Sequence, residues 1–509
     1  MIKHYIQKVE GTKTIFMVLV TGVLLSAPTI SLGADLNLVE ATGTSGGEVN
    51  VFLTLDNSES MYAEFNYNYR WTMQSYLHYG ATGDVAEDSN LDTQYLGQTL
   101  LTCGSRQHNF YHIWGTEQIN AYNATQSKDN ACREVTFVEL PQLAYIDWRL
   151  ISNDGNRLYY NPKRTYEPWP GYPPADFFAA RDNPVSSSEG FAVHYNLATD
   201  TRLNGPGFKF AVWQDSRGYS GPSPKPDEFT ATPNGEVDLW DNHTLYTVNA
   251  SSIEVTEINF NPNSNKLKSA SIDSACKFGD QYPTFGFEQC LGRTESSKAW
   301  LNPFGRNQAQ ERQNIANWFT YYRSRNLESR MGIAKIFQSF PAINFGATTL
   351  TKQGDPGSVM APIRPTNIDH ATHNKTIIDK LYNTHVEEQT FLGDAALFVG
   401  DYFKGDNATY SSPIDSACEQ SFHVLITDGA RNNDWNTARP DIGDHDNDGH
   451  SFSVNSDAVS MADIASYFYM TDLSPSLPNT APSTSRFCTG ARQVNHQSLS
   501  FMALSYGSP

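Results

Sequence analysis

Val49-Asn50-Val51-Phe52-Leu53-Thr54-Leu55-Asp56-Asn57-Ser58-Glu59-Ser60 is the stretch that decides the fold. Its first seven residues have the β-branched and aromatic content of a buried strand, and the apolar run stops at Asp56. The same form returns far along the chain, where Phe422-His423-Val424-Leu425-Ile426-Thr427 stops at Asp428-Gly429. In 313–338, Ile315, Trp318, Phe319, Tyr322, Leu327, Met331, Ala334 and Phe337 recur at spacings near three and four, the period of one amphipathic helix. Segment 342–350 reads as another strand, 393–403 and 461–473 as helices, and 499–507 as a late strand. Strand alternating with helix argues for an α/β fold, a largely parallel sheet flanked by helices. In such sheets ligands collect beyond the carboxyl ends of the strands, where Asp56 and Asp428 fall.

Four segments follow. Residues 46–65 hold the first strand and its loop, and 307–509 the remainder of the same domain. Between them, 66–306 is rich in Tyr, Trp, Asn, Pro and Gly, as in Tyr159-Tyr160-Asn161-Pro162 and Tyr166-Glu167-Pro168-Trp169-Pro170, and reads as an irregular, β-rich insertion. Its aromatics either form a binding surface or fill the core of a loop-rich subdomain. Residues 1–33 read as an export signal: Lys3, Lys8 and Lys13 precede an apolar run from Ile15 to Leu25, with small residues at Ser31 and Gly33. Cleavage near Gly33 is expected, with an uncleaved anchor over 14–32 as the competing reading.

With 509 residues, 39% of them hydrophobic, the chain can bury a large core. Its 36 basic against 55 acidic side chains leave a net charge of −19, which repels phosphate backbones and argues against nucleic acid as a partner. Export makes disulfides the default for the six cysteines, Cys103, Cys132, Cys276, Cys290, Cys418 and Cys488. Proximity favours pairing in that order, although six cysteines permit about 15 arrangements.

Asp56-x-Ser58-x-Ser60 places three oxygen side chains on alternate positions of a tight loop, where they can converge on one hard cation. The same residue types also cap helices and build turns. What raises the cation reading is context: the loop follows a strand, Asp428 follows a second, and Thr390 precedes a helical segment. Taken together these positions resemble the von Willebrand factor A domain and its metal-ion-dependent adhesion site. That resemblance implies Mg²⁺ or Mn²⁺ held by Ser58, Ser60 and Thr390, with Asp56 and Asp428 as the carboxylates. Around the threonine the chain departs from the family, reading Glu388-Gln389-Thr390-Phe391-Leu392 in place of Gly-Gly-Thr-Pro-Leu.

A narrower resemblance covers nearly the whole chain after the export signal. The stretches Leu158-Tyr159-Tyr160-Asn161-Pro162, 166–169, Val237-Asp238-Leu239-Trp240-Asp241, 313–325, 421–429 and 461–473 are similar to the N-terminal half of the PilY-type pilus biogenesis adhesins. The likeness implies a protein at or near the tip of a type IV pilus of a Gram-negative bacterium, at the cell surface, outer membrane or periplasm. It would work with minor pilins and contact a host cell or surface through an acidic group of the ligand. Family members usually continue into a C-terminal β-propeller, so truncation of the A domain at its C-terminus is expected here. The alternative is a structural biogenesis factor in which the metal only stabilises the fold.

A second oxygen-rich loop, Asp444-His445-Asp446-Asn447-Asp448-Gly449, opens like a calcium loop but has Asn455 where an EF-hand needs Glu. Ca²⁺ at Asp444, Asp446 and Asp448 is weighed against an acidic solvated turn. No nucleophile elbow, phosphate loop, dinucleotide fingerprint or paired-histidine metal motif occurs, so the chain is expected not to be an enzyme.

Overall fold

A computed structural model describes residues 48–58, 61, 102–103, 106–107, 151–154, 156–181, 184–185, 194–199, 207–216, 232, 241–260, 293–350, 359–384, 390–428, 439, 441–446, 459–481 and 494–505. Along the chain run β1 (Val49–Leu55), β2 (Thr102–Cys103), β3 (Arg106–Gln107), β4 (Ala180–Arg181), β5 (His194–Tyr195), β6 (Phe208–Gln214), β7 (Asn242–Val248), β8 (Ile253–Phe260) and β9 (Arg293–Lys298). Then come α1 (Gln308–Tyr321), α2 (Arg325–Ser339), β10 (Asn344–Thr349), β11 (Val359–Ala361), α3 (His370–Tyr382), α4 (Leu392–Lys404), β12 (Gln420–Thr427), α5 (Met461–Met470) and β13 (Leu499–Ser505). The export signal and five of the six cysteine side chains lie outside the described residues, whereas Cys418 is half-buried with its sulfur 3.6 Å from Thr480 Oγ1.

The chain divides into two compact units, one made of 1–61 with 329–508 and the other of 62–328. In the first, a five-stranded sheet has the order β11-β10-β1-β12-β13. β1 runs parallel to β10 and β12, β12 runs parallel to β13, and only the short β11 is antiparallel. The expected α/β architecture is present as a mixed fold with a mostly parallel sheet.

Helices cover both faces of this sheet, which is why β1 is a nearly unbroken apolar run. Val51, Leu53 and Leu55 pack on one face with Ile333 and Phe337 of α2, Ile377 and Leu381 of α3, and Phe345, Phe422 and Ile426 of the neighbouring strands. Phe52 points to the opposite face, among Ala396, Val399, Tyr402 and Phe403 of α4 and Ile464 and Phe468 of α5. Polar positions on that second face find partners across the sheet: Asn50 Nδ2 donates to Glu419 Oε1 at 2.7 Å, and Thr54 Oγ1 lies 2.8 Å from His423 Nε2.

Gly400 on α4 faces Phe468, and an added Cβ would stand 2.2–2.4 Å from the ring. The ring is itself held by Tyr467 and Phe501 and cannot easily retreat. Gly400→Ala is therefore expected to lower unfolding free energy by about 1–3 kcal/mol through overpacking, measurable by denaturant titration. An unchanged midpoint would show that the two helices can part without cost.

The second unit carries the antiparallel sheet β6-β7-β8-β9 and α1. Among the described residues of this unit, Tyr159, Tyr160, Tyr166, Trp169, Phe208, Phe210 and Trp318 are core, whereas Phe178 is exposed. Their polar atoms are taken up internally. Trp318 Nε1 donates to the Leu158 carbonyl at 2.9 Å, Trp169 Nε1 to the Tyr321 carbonyl at 3.2 Å, and Tyr160 Oη to Glu311 Oε1 at 2.5 Å.

The single helix expected over 313–338 is two. α1 closes at Tyr322, whose φ of −138° leaves the helical region, and Ser324 starts α2, its hydroxyl accepting from Leu327 N at 3.3 Å. The unit boundary falls after Glu328, so α1 lies with the 62–328 segment, whereas the sequence reading put it in the remainder of the first domain. α3, absent from that reading, is capped by Asp369 and buries His373, Ile377, Leu381 and Tyr382.

Candidate metal centre

In the strand order β11-β10-β1-β12-β13 the chain builds outward from β1 on one side, then returns to add β12 and β13 on the other. The crevice beyond the carboxyl ends of β1 and β12 is thus the switch point, where open α/β sheets bind ligands. Leu55 pairs with Ile426, so Asp56 and Asp428 leave adjacent strands. Asp56 N donates to the Ile426 carbonyl at 2.8 Å, extending the ladder by one bond.

Two further bonds fix the Asp56 side chain. Ser58 N donates to Asp56 Oδ1 at 2.8 Å, closing the tight loop, and Thr427 Oγ1 donates to Asp56 Oδ2 at 2.6 Å from the last residue of β12. Asn57 Oδ1 accepts from Leu350 N at 3.3 Å, so the loop is also tied to the end of β10. Asp56, Asn57, Ser58, Thr390, Thr427 and Asp428 are all buried.

Burial pushes the Asp56 carboxyl above the usual carboxylate range; hydrogen bonds from Ser58 and Thr427 pull it back, and the charge of Asp428 adds to the rise. Two carboxylates that repel each other in a desolvated crevice, beside the Ser58 hydroxyl, form a donor set suited to a hard divalent cation. On that chemistry the residues fit the ion that the sequence implies.

Of the five expected ligands, the structure brings Asp56, Ser58 and Asp428 to one crevice. Thr390 is buried two residues ahead of α4, and Ser60 lies outside the described residues. Thr427, at the end of β12 and not among the five expected ligands, donates to Asp56; its place one position beyond the Leu55–Ile426 pair, opposite Asp56, is the signal that could have found it.

The second acidic loop is re-formed by a residue outside it. Carboxylate oxygens of Asp444, Asp446 and Asp463 lie within 4.8 Å of one another, while Asp448 falls outside the described residues. Asp463 is the third residue of α5 and completes a capping box with Ser460. Its Oδ1 accepts from His445 N at 2.8 Å, which anchors the loop to the helix N-terminus.

The chain is similar to the type IV pilus biogenesis factor PilY1 of Pseudomonas aeruginosa. It is 25% identical to the protein of strain UCBPP-PA14 over 226 residues, or 41% of this chain, and 28% identical to that of strain PAK over 196 residues, or 33% of this chain. The chain spans under a fifth of the length of these curated relatives, 19% and 16%. The resemblance to PilY-type pilus proteins seen in the sequence therefore holds over about a third of the chain or more. No family model matches the chain. No solved structure matches it. Among the described residues no helix is long and apolar enough to cross a membrane.

Proposed function

We propose that this chain is an exported part of the type IV pilus machinery, a tip-associated adhesin and assembly factor that binds surface or host ligands through a divalent-metal site in a von Willebrand factor A-like domain. The observation that carries the reading is the meeting of Asp56, Ser58 and Asp428 at the switch point of the parallel sheet, with Asp56 held by bonds from Ser58 and Thr427. Likeness to PilY1 supplies the pilus context.

In this reading Mg²⁺ or Mn²⁺ is held by Ser58, Ser60, Thr390 and the two carboxylates. Neutral hydroxyls in direct contact leave the ion enough positive charge to attract an acidic group of the ligand. The role is binding rather than turnover, and its partners are minor pilins on one side and a carboxylate-bearing surface ligand on the other. The purified chain should adhere to a carboxylate-displaying surface in Mg²⁺ and release it in EDTA, and Asp428→Ala should remove the Mg²⁺-dependent part. Equal adhesion with Mg²⁺ and with EDTA would reject the reading and leave the structural biogenesis role.

Ca²⁺ at the second loop is a separate, smaller proposal, favoured by the convergence of Asp463 on Asp444 and Asp446. Asp446→Asn is expected to abolish protection of the 441–446 loop by Ca²⁺ in a limited proteolysis experiment. Protection unaffected by the substitution would return the loop to an acidic turn.

A further inference from the structure

We infer that Thr427 is a positioning residue of the metal centre, the group that sets the Asp56 carboxylate for the ion. The inference rests on the metal-site reading above and deepens it. Asp56 has two carboxylate oxygens: Oδ1 accepts from the amide of Ser58 in its own loop and Oδ2 from the hydroxyl of Thr427 at 2.6 Å, with the Ser58 hydroxyl also bonded to the carboxylate. The first bond is local, arises from the turn itself and survives any change on the neighbouring strand. The second spans 371 positions of sequence and joins the end of β12 to the metal loop.

Without the Thr427 hydroxyl, only the Ser58 amide and hydroxyl would restrain Asp56, and its carboxylate could turn about the bond to its Cβ. Partners of this kind, which orient a ligand without touching the ion, carry about 10–100-fold of metal affinity when removed. Thr427 is buried, so its hydroxyl is shielded from water and points at a fixed acceptor. Valine has nearly the same shape and removes the donor alone.

The test uses the full chain and Mn²⁺ itself as the probe, read by calorimetric titration and by the electron paramagnetic resonance of bound Mn²⁺. Thr427→Val is expected to weaken Mn²⁺ by about tenfold or more and to broaden the bound signal, while Thr427→Ser, which keeps the hydroxyl, stays within about threefold of the parent. Thr54→Val serves as the control: it deletes another buried hydroxyl of the same sheet, bonded to His423, and should leave Mn²⁺ affinity unchanged. Should Thr427→Val fail to fold, Thr427→Cys keeps the volume with a much weaker donor and is expected to lose affinity in the same way.

A parent that binds Mn²⁺ and a folded Thr427→Val or Thr427→Cys that binds it equally well overturn the role of Thr427 alone. Thr54→Val losing as much affinity as Thr427→Val also overturns it, because the effect would then belong to sheet packing. A parent that takes up no Mn²⁺ overturns the metal reading and this inference with it.

Discussion

Bacteria carrying Ser58→Ala/Ser60→Ala in this chain are expected to assemble pili in parental number and to lose attachment by about tenfold or more, the scale of a crippled metal site. The physical reason is a separation of tasks. Ser58 follows β1 at the rim of the sheet and bonds Asp56 through both its backbone amide and its hydroxyl; alanine retains the amide bond that closes the turn. The double substitution therefore removes oxygen donors while leaving the turn and the core of β1 in place. Counting sheared pili beside a surface-attachment assay separates the two roles. Normal attachment by normally piliated cells would favour the structural alternative, in which the site does not touch a ligand.

The second large effect is one of pH. His423 is fully buried in the centre of β12, with Thr54 at one ring nitrogen and the Phe501 ring beside it. Burial pushes its imidazole from the ordinary 6.5 down to about 3. The folded chain thus keeps His423 neutral where the unfolded chain takes up a proton, so stability is complete above about 6.5 and falls as the pH drops toward 3. By pH 5 the loss from this one group is about 2 kcal/mol, at about 1.4 kcal/mol for each unit below the unfolded value. Burial raises the carboxyls of Asp56, Asp401 and Glu419, which gives the opposite slope where they titrate. Comparing the parent with His423→Gln, which can still bond Thr54, isolates the histidine. Denaturant melts at pH 7 and pH 5 should show a smaller loss in the variant; equal losses would contradict the assignment.

Much of this fold is written locally. β1 and β12 are apolar runs that end on aspartate because they are buried on both faces by helices and stop at the rim, and both facts are visible in the order of their residues. The helices of the first unit are legible from their three-and-four spacing, apart from α3. There the apolar stripe is thin, only Ile377, Leu381 and their neighbours, and the Asp369 cap is the stronger sign.

The antiparallel sheet of the second unit is partly legible too, since Ile253-Glu254-Val255-Thr256 alternates apolar with polar residues as a half-buried strand does. It was obscured by the Tyr- and Pro-rich segments around it, whose aromatic residues pack inward through long-range bonds such as that of Trp318 to Leu158. What no local pattern could give is convergence across the chain. Thr427 reaches Asp56 through strand register, and Asp463 reaches the second acidic loop because a helix N-terminus comes to rest against it.

The most direct test of the central claim is a thermal and calorimetric titration of the purified chain with Mn²⁺, beside Asp56→Ala. A site built from Asp56, Ser58, Ser60, Thr390 and Asp428 should bind one ion and, at about a hundred times its dissociation constant, stabilise the fold by about 2.7 kcal/mol. Asp56→Ala should lose that gain. A melting temperature of the parent that does not move with Mn²⁺ or Mg²⁺, or one that moves equally in Asp56→Ala, would contradict the account.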